Sequence, residues 1–196
     1  MIIKTYDYDM GYVEAGVEAL KDYLLSEHMF WPLSAHPPEG KSPYPQLTLG
    51  GLLLSVRRLF AYPKSAIQAE QLNLVKSRID FIHTKWQVAW EKKARHNFAT
   101  RLHMWRDFIE EYRGNPQDNA DRYGYEVRLR VMLQLLQMDA GQLEQSELDL
   151  LHTLDVFIKE ALVQGDFVWE AELQSGFPVS DYWYLYGSLR TSTKMR

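Results

Sequence analysis

Between Lys85 and Arg106 six basic side chains, Lys85, Lys92, Lys93, Arg95, Arg101 and Arg106, face a single acid, Glu91. Trp86, Trp90 and Trp105 are interleaved among them, and His96 and His103 stand seven residues apart, on one helical face. Clustered cations beside aromatic rings suit phosphates, other anions or a nucleic-acid strand, through charge neutralisation and stacking. The candidate anion-binding set is therefore Lys92, Lys93, Arg95, His96, Arg101 and His103. The competing reading is structural. Trp86 and Trp105 fall on apolar stripes, which leaves the cations as the solvated side of a helix or as the complement of an acidic surface.

A second pattern is Asp-x-x-His, found at Asp80/His83 and again at Asp149/His152. Helical bundles that bind two metal ions use a related Glu-x-x-His pair facing the core. Helical phase argues against that chemistry here. Asp149 and His152 point about 170° and 130° from their apolar stripe, and Asp80 and His83 about 120° and 60° from theirs. Aspartate also reaches less far than glutamate. No metal ligand is assigned, and no cofactor.

Nucleophilic catalysis finds little support. The chain has no cysteine, which excludes disulfides, thiolate zinc sites, iron–sulfur clusters and thiol nucleophiles. Gly-x-Ser-x-Gly, P-loop and Rossmann glycine patterns are absent, and Gly50–Gly51 sits in an apolar helical run where glycines permit close packing. Acid pairs such as Glu110–Glu111 and Glu170/Glu172 are unremarkable among 26 acidic residues. No catalytic residue is assigned.

The elements that position these groups follow from periodicity. Apolar residues at Val13, Val17, Leu20 and Leu24 predict a helix over 12–27. Five of the eight prolines then lie within 28–45, which forbids helix there. That segment is expected to be an extended crossover pinned by Phe30, Trp31 and Leu33, with His28, His36, Lys41 and Tyr44 available to line a pocket. A helix over 47–61, with Thr48 as cap, ends before Pro63.

Ser65 caps the next helix. Its stripe runs Val75, Ile79, Ile82, Trp86 and Ala89, and a second stripe runs Phe98, Leu102, Trp105, Ile109 and Tyr112. The nine residues from Ala89 to Phe98 put the two stripes half a turn out of phase. Either the helix breaks near Arg95–Asn97 or one helix of nearly 50 residues buries opposite faces; the helix-tolerant sequence favours one long helix, straight or kinked. Further helices are expected from Asn119 or Asp121, on Val127, Val131, Leu135 and Met138, and over 146–165, on Leu148, Leu151, Leu154, Ile158 and Leu162. After them, Phe167, Trp169, Ala171 and Leu173 alternate like a strand before a Ser–Gly turn, and the N-terminal residues 2–8 read as extended.

The expected architecture is all-α over residues 1–196: a bundle of five or six helices, with a long central helix, a proline-rich crossover and an aromatic, irregular or hairpin-like C-terminal segment. Net charge is −4 but uneven, from +8 over 46–106 to −11 over 107–181. The acidic balance disfavours a dedicated nucleic-acid binder, and the asymmetry favours a protein partner. The longest apolar run, LGGLLLSV, is eight residues, against roughly 20 for a membrane span. A cytoplasmic, non-enzymatic interaction or scaffold module that self-associates is the leading expectation, with no membrane partner. Anion or nucleic-acid binding through 85–106 is the alternative, and a metal-dependent enzyme is less favoured.

Overall fold

Thr5 opens the first helix: its side chain accepts the Tyr8 backbone N–H, and Asp7 and Asp9 place negative charge where the helix dipole favours it. In the computed structural model, which describes residues 5–191, α1 therefore begins at Tyr6 and runs to Leu25. Tyr6–Tyr8, expected to be extended, are helical because this cap lies upstream of the apolar stripe. Residues 2–4 of that expectation lie outside the described residues.

The chain is all-α apart from one small sheet. After α1 come α2 (Leu49–Ala61), α3 (Ala66–Lys85), α4 (Gln87–Gly114), the short α5 (Pro116–Asn119) and α6 (Tyr123–Glu126), α7 (Arg128–Asp139) and α8 (Gln145–Ala161). Strands β1 (Leu162–Phe167) and β2 (Tyr186–Leu189) then pair antiparallel, with Leu162 opposite Leu189. Helix α2 lies at the centre, packed against α1, α4 and α7. Gly50 lets it approach α7 at Leu136 and Met132.

The α2 N-terminus is buried, and its first-turn N–H groups need partners. Leu49 donates to the Tyr23 hydroxyl, Gly50 to Asn97 Oδ1 and Gly51 to Thr48 Oγ1. The Asn97 amide in turn donates to the Tyr23 hydroxyl and to the Lys93 carbonyl. Asn97 is thus fully buried inside α4 as the acceptor that α2 requires, and it does not interrupt the helix.

The long central helix is kinked at Trp86, not near Arg95–Asn97. Trp86 leaves helical geometry (φ −121°, ψ 33°), yet the bonds Trp86 N–H to Ile82 and Trp90 N–H to Trp86 carry across it. Ile82, Trp86 and Ala89 pack partly buried against the core, and the residues that carry the face onward are Trp90, Ala94, Phe98 and Leu102, all buried and spaced by four from Ile82 and Trp86. Each step of four residues advances about 40° beyond a full turn, so over five steps the buried face swings roughly 200°. The half-turn between stripes is real, but it is spread along the helix.

Four other expectations change. Met138 is 79% exposed, and α7 packs instead through Leu129, Val131, Leu133 and Leu136. Helix α8 gives way to β1 at Leu162, before Gly165. The predicted strand through Ala171 and Leu173 is a 3-10 helix over Ala171–Gly176, because Leu173 and Phe177 are buried against the bundle instead of a second strand. Phe30, expected as a core anchor, is 45% exposed.

Candidate functional site

The proline-rich crossover is closed by two backbone hydrogen bonds between Trp31 and Leu47, of 3.0 and 2.7 Å. Its return limb lies over α1. Tyr8 donates its hydroxyl to the Pro43 carbonyl, and the Tyr44 ring meets those of Tyr8 and Tyr12. A side chain at Gly11 would meet the Tyr44 hydroxyl and displace that ring, so glycine permits this approach. Beneath the crossover lies a cavity of about 400 Å³, walled by α1, α2, α4, α7 and the C-terminal segment. Phe30, Ser42, Pro43 and Pro45 line it from the loop, whereas His36 and Lys41 are exposed elsewhere.

Three arginines line this cavity and differ in how their charge is met. Arg58 donates from Nε to Asp9 at 2.8 Å and from a terminal nitrogen to the Tyr62 hydroxyl at 2.7 Å, with Glu170 at 3.7 Å. It is buried but neutralised. Arg128 packs on the Tyr125 ring and lies 3.3 Å from Glu126. Arg101 is 8% exposed and makes no ion pair among the described residues. Its guanidinium donates to Thr48 Oγ1 at 3.1 Å and contacts Met104 Sδ at 3.3 Å, while its buried Nε has no hydrogen-bond partner.

Burial first, and the Arg128 charge second, push the Arg101 pKa down. A guanidinium nevertheless stays protonated, so the charge remains and the site is electropositive. The Tyr12 hydroxyl beside it is buried, and burial raises its pKa above the ordinary tyrosine value. It remains a neutral donor. The cavity therefore pairs an uncompensated cation and a hydroxyl donor with the apolar faces of Phe30, Met132 and Trp169.

The rest of the sequence-predicted set is dispersed. Lys92, Lys93 and His96 line a different groove, of about 620 Å³, between the end of α1 and the start of α4. Lys93 is buried there because its ammonium donates to the Ser26 and His28 carbonyls, at 2.8 and 2.9 Å, and sits over the Tyr23 ring. It caps the C-terminal end of α1, where a cation is favoured. Lys92 pairs with Glu27, Arg95 donates to the Ala140 carbonyl, and His103 is exposed. The sequence included Arg101 as one of six candidates but carried no sign of Arg58, Arg128 or Tyr12 as its neighbours, since they come from three other helices.

The two Asp-x-x-His pairs stand on α3 and α8. Asp80 pairs with Lys76, His83 stacks on Trp90 at 4.5 Å, Asp149 accepts from Gln145 and His152 is exposed. Among the described residues no group of three or more His, Asp or Glu side chains is placed to hold a metal ion. Nor is any helix among them long and apolar enough to cross a membrane. No family model, no curated protein and no solved structure matches this chain.

Proposed function

We propose that the protein is a binding module for a small ligand bearing a carboxylate or phosphate, held at Arg101 beneath the proline-rich crossover. The observation that carries this reading is the buried Arg101 guanidinium, which has no counter-ion among the described residues and lines a cavity. Burying a charge without a partner costs several kcal/mol, and a bound anion offsets that cost directly. Thr48 places a hydroxyl at the same point, and the Tyr12 hydroxyl and the Arg101 Nε lie buried beside it. The aromatic and thioether walls favour an anion carried on a flat apolar body over a bare inorganic ion.

Dispersal of the other cations, most of them held by carboxylates or carbonyls of the chain, lends little support to a nucleic-acid groove along 85–106. Titration calorimetry with benzoate, acetate and inorganic phosphate tests the proposal. Benzoate should bind more tightly than acetate, and Arg101→Met should abolish binding of both. If none of the three binds, or if the variant binds as the parent does, the reading fails.

A further inference from the structure

Helix α3 buries only Leu72, Val75 and Ile79, and its opposite side is unusual. Ile67, Leu74 and Phe81 are 79%, 64% and 65% exposed, and Val88, just past the Trp86 kink, is 82% exposed. These four residues recur at intervals of seven. Seven residues fall about 20° short of two turns, so Ile67, Leu74 and Phe81 form one stripe along α3, the pattern by which helices pair along a seam, and Val88 follows beyond the kink. A scattered exposed leucine needs no explanation; a seven-residue repeat of large apolar side chains on a solvent face does.

We infer that this stripe is the docking face for a second copy of the same chain, with the two α3 helices antiparallel. The argument is charge complementarity. In an antiparallel pair centred between Ser77 and Arg78, residue i faces residue 155 − i of the copy. Leu74 then meets Phe81, so apolar residues match one another at the centre of the seam. Glu70 meets Lys85, and no like charges are opposed along α3. Glu70 and Lys85 are exposed and form no ion pair within the chain among the described residues. A parallel pair would instead set Glu70 against Glu70 and Lys85 against Lys85. Repulsion therefore selects the antiparallel register. Three apolar side chains on a helix about 30 Å long sit at the low end of interface size, so the dimer is weak and concentration-dependent.

This inference is independent of the Arg101 cavity, which involves none of these residues. Sedimentation equilibrium over the micromolar to millimolar range should show reversible dimerisation. Leu74→Glu, an exposed substitution that spares the core, should remove it. Glu70→Lys should weaken it roughly two- to thirtyfold, since two symmetry-related exposed pairs are lost, and the double change Glu70→Lys with Lys85→Glu should restore it. Because the chain has no cysteine, mild oxidation can fix the orientation. A mixture of Leu74→Cys and Phe81→Cys chains should cross-link to each other, and Leu74→Cys alone should cross-link poorly. A chain that stays monomeric throughout, a double charge reversal that does not recover, or efficient cross-linking of Leu74→Cys to itself would each overturn the inference.

Discussion

Replacing Arg101 by Met probes the proposed site through stability as well as binding. In the free protein Arg101 donates to Thr48 Oγ1 and touches Met104 Sδ, and its charge has no carboxylate partner among the described residues. Losing the hydrogen bond to Thr48 costs about 1.5 kcal/mol, the low end for a charged donor, and losing the sulfur contact costs less. Removing a buried, unpaired guanidinium in favour of an apolar chain of similar length returns about 1–4 kcal/mol. The net expectation is a gain of about 1–2 kcal/mol, and Arg101 is too buried for water to erase it. For a chain near 200 residues that raises the unfolding midpoint by about 2–8 °C.

The ligand reverses this order. Benzoate at about one hundred times its dissociation constant adds roughly 2.7 kcal/mol to the parent and nothing to the variant. Differential scanning calorimetry with and without benzoate therefore gives a crossing pattern: the variant is more stable when free, and the parent gains alone when ligand is added. A variant that is less stable than the parent by more than about 1 kcal/mol shows that the chain itself satisfies Arg101, and the reasoning fails. Equal stabilisation of both proteins by benzoate would refute it as well. Arg128→Met serves as a contrast, because Arg128 already has Glu126 beside it and its loss should not stabilise.

Three further outcomes follow from the packing. Asp9→Ala strands the buried Arg58, with Glu170 only at 3.7 Å, and should cost about 3 kcal/mol in urea denaturation; a loss below 1 kcal/mol would show that Tyr62 and Glu170 suffice. Asp139, at the C-terminal end of α7, has its pKa raised by burial, with the His83 charge acting in opposition. Its folded form holds the proton more tightly than the unfolded chain, so stability is lost as pH rises from the unfolded value of about 3.9 through the folded one. Asp139→Asn should accordingly raise the melting temperature at pH 7 and leave it unchanged in acid below that window; an equal effect at both would sever the link to ionisation. Gly176→Ala would drive a methyl into the Ala61 side chain and lever the C-terminal segment off α2, at a cost of about 1–3 kcal/mol in thermal melts.

The sequence by itself determined the helices wherever a cap and a stripe coincided. Thr48 and Ser65 open α2 and α3 as their residue types require, Pro63 closes α2 with one residue between, and the prolines of 28–45 exclude helix. Such signals act within a turn or two of chain. They specify the bundle, the crossover and a basic segment in which Arg101 is one of six candidates.

Tertiary structure decided which side chains share a space and what each charge is for. Lys93 and Arg101 look alike in a charge count, yet Lys93 caps the carbonyls at the end of α1 and Arg101 lines a cavity, with a buried Nε that has no hydrogen-bond partner. Asn97 resembles a helix breaker until α2 brings the Gly50 N–H to its side-chain oxygen. Met138 completes an apolar stripe whose partner never arrives, and Ile67, Leu74 and Phe81 form one that the fold leaves uncovered. Periodicity reports that a face exists. Only the arrangement of the other helices says whether that face is filled, and hydrogen-bond demand and unpaired charge, which are properties of neighbours distant in sequence, say what it is left to do.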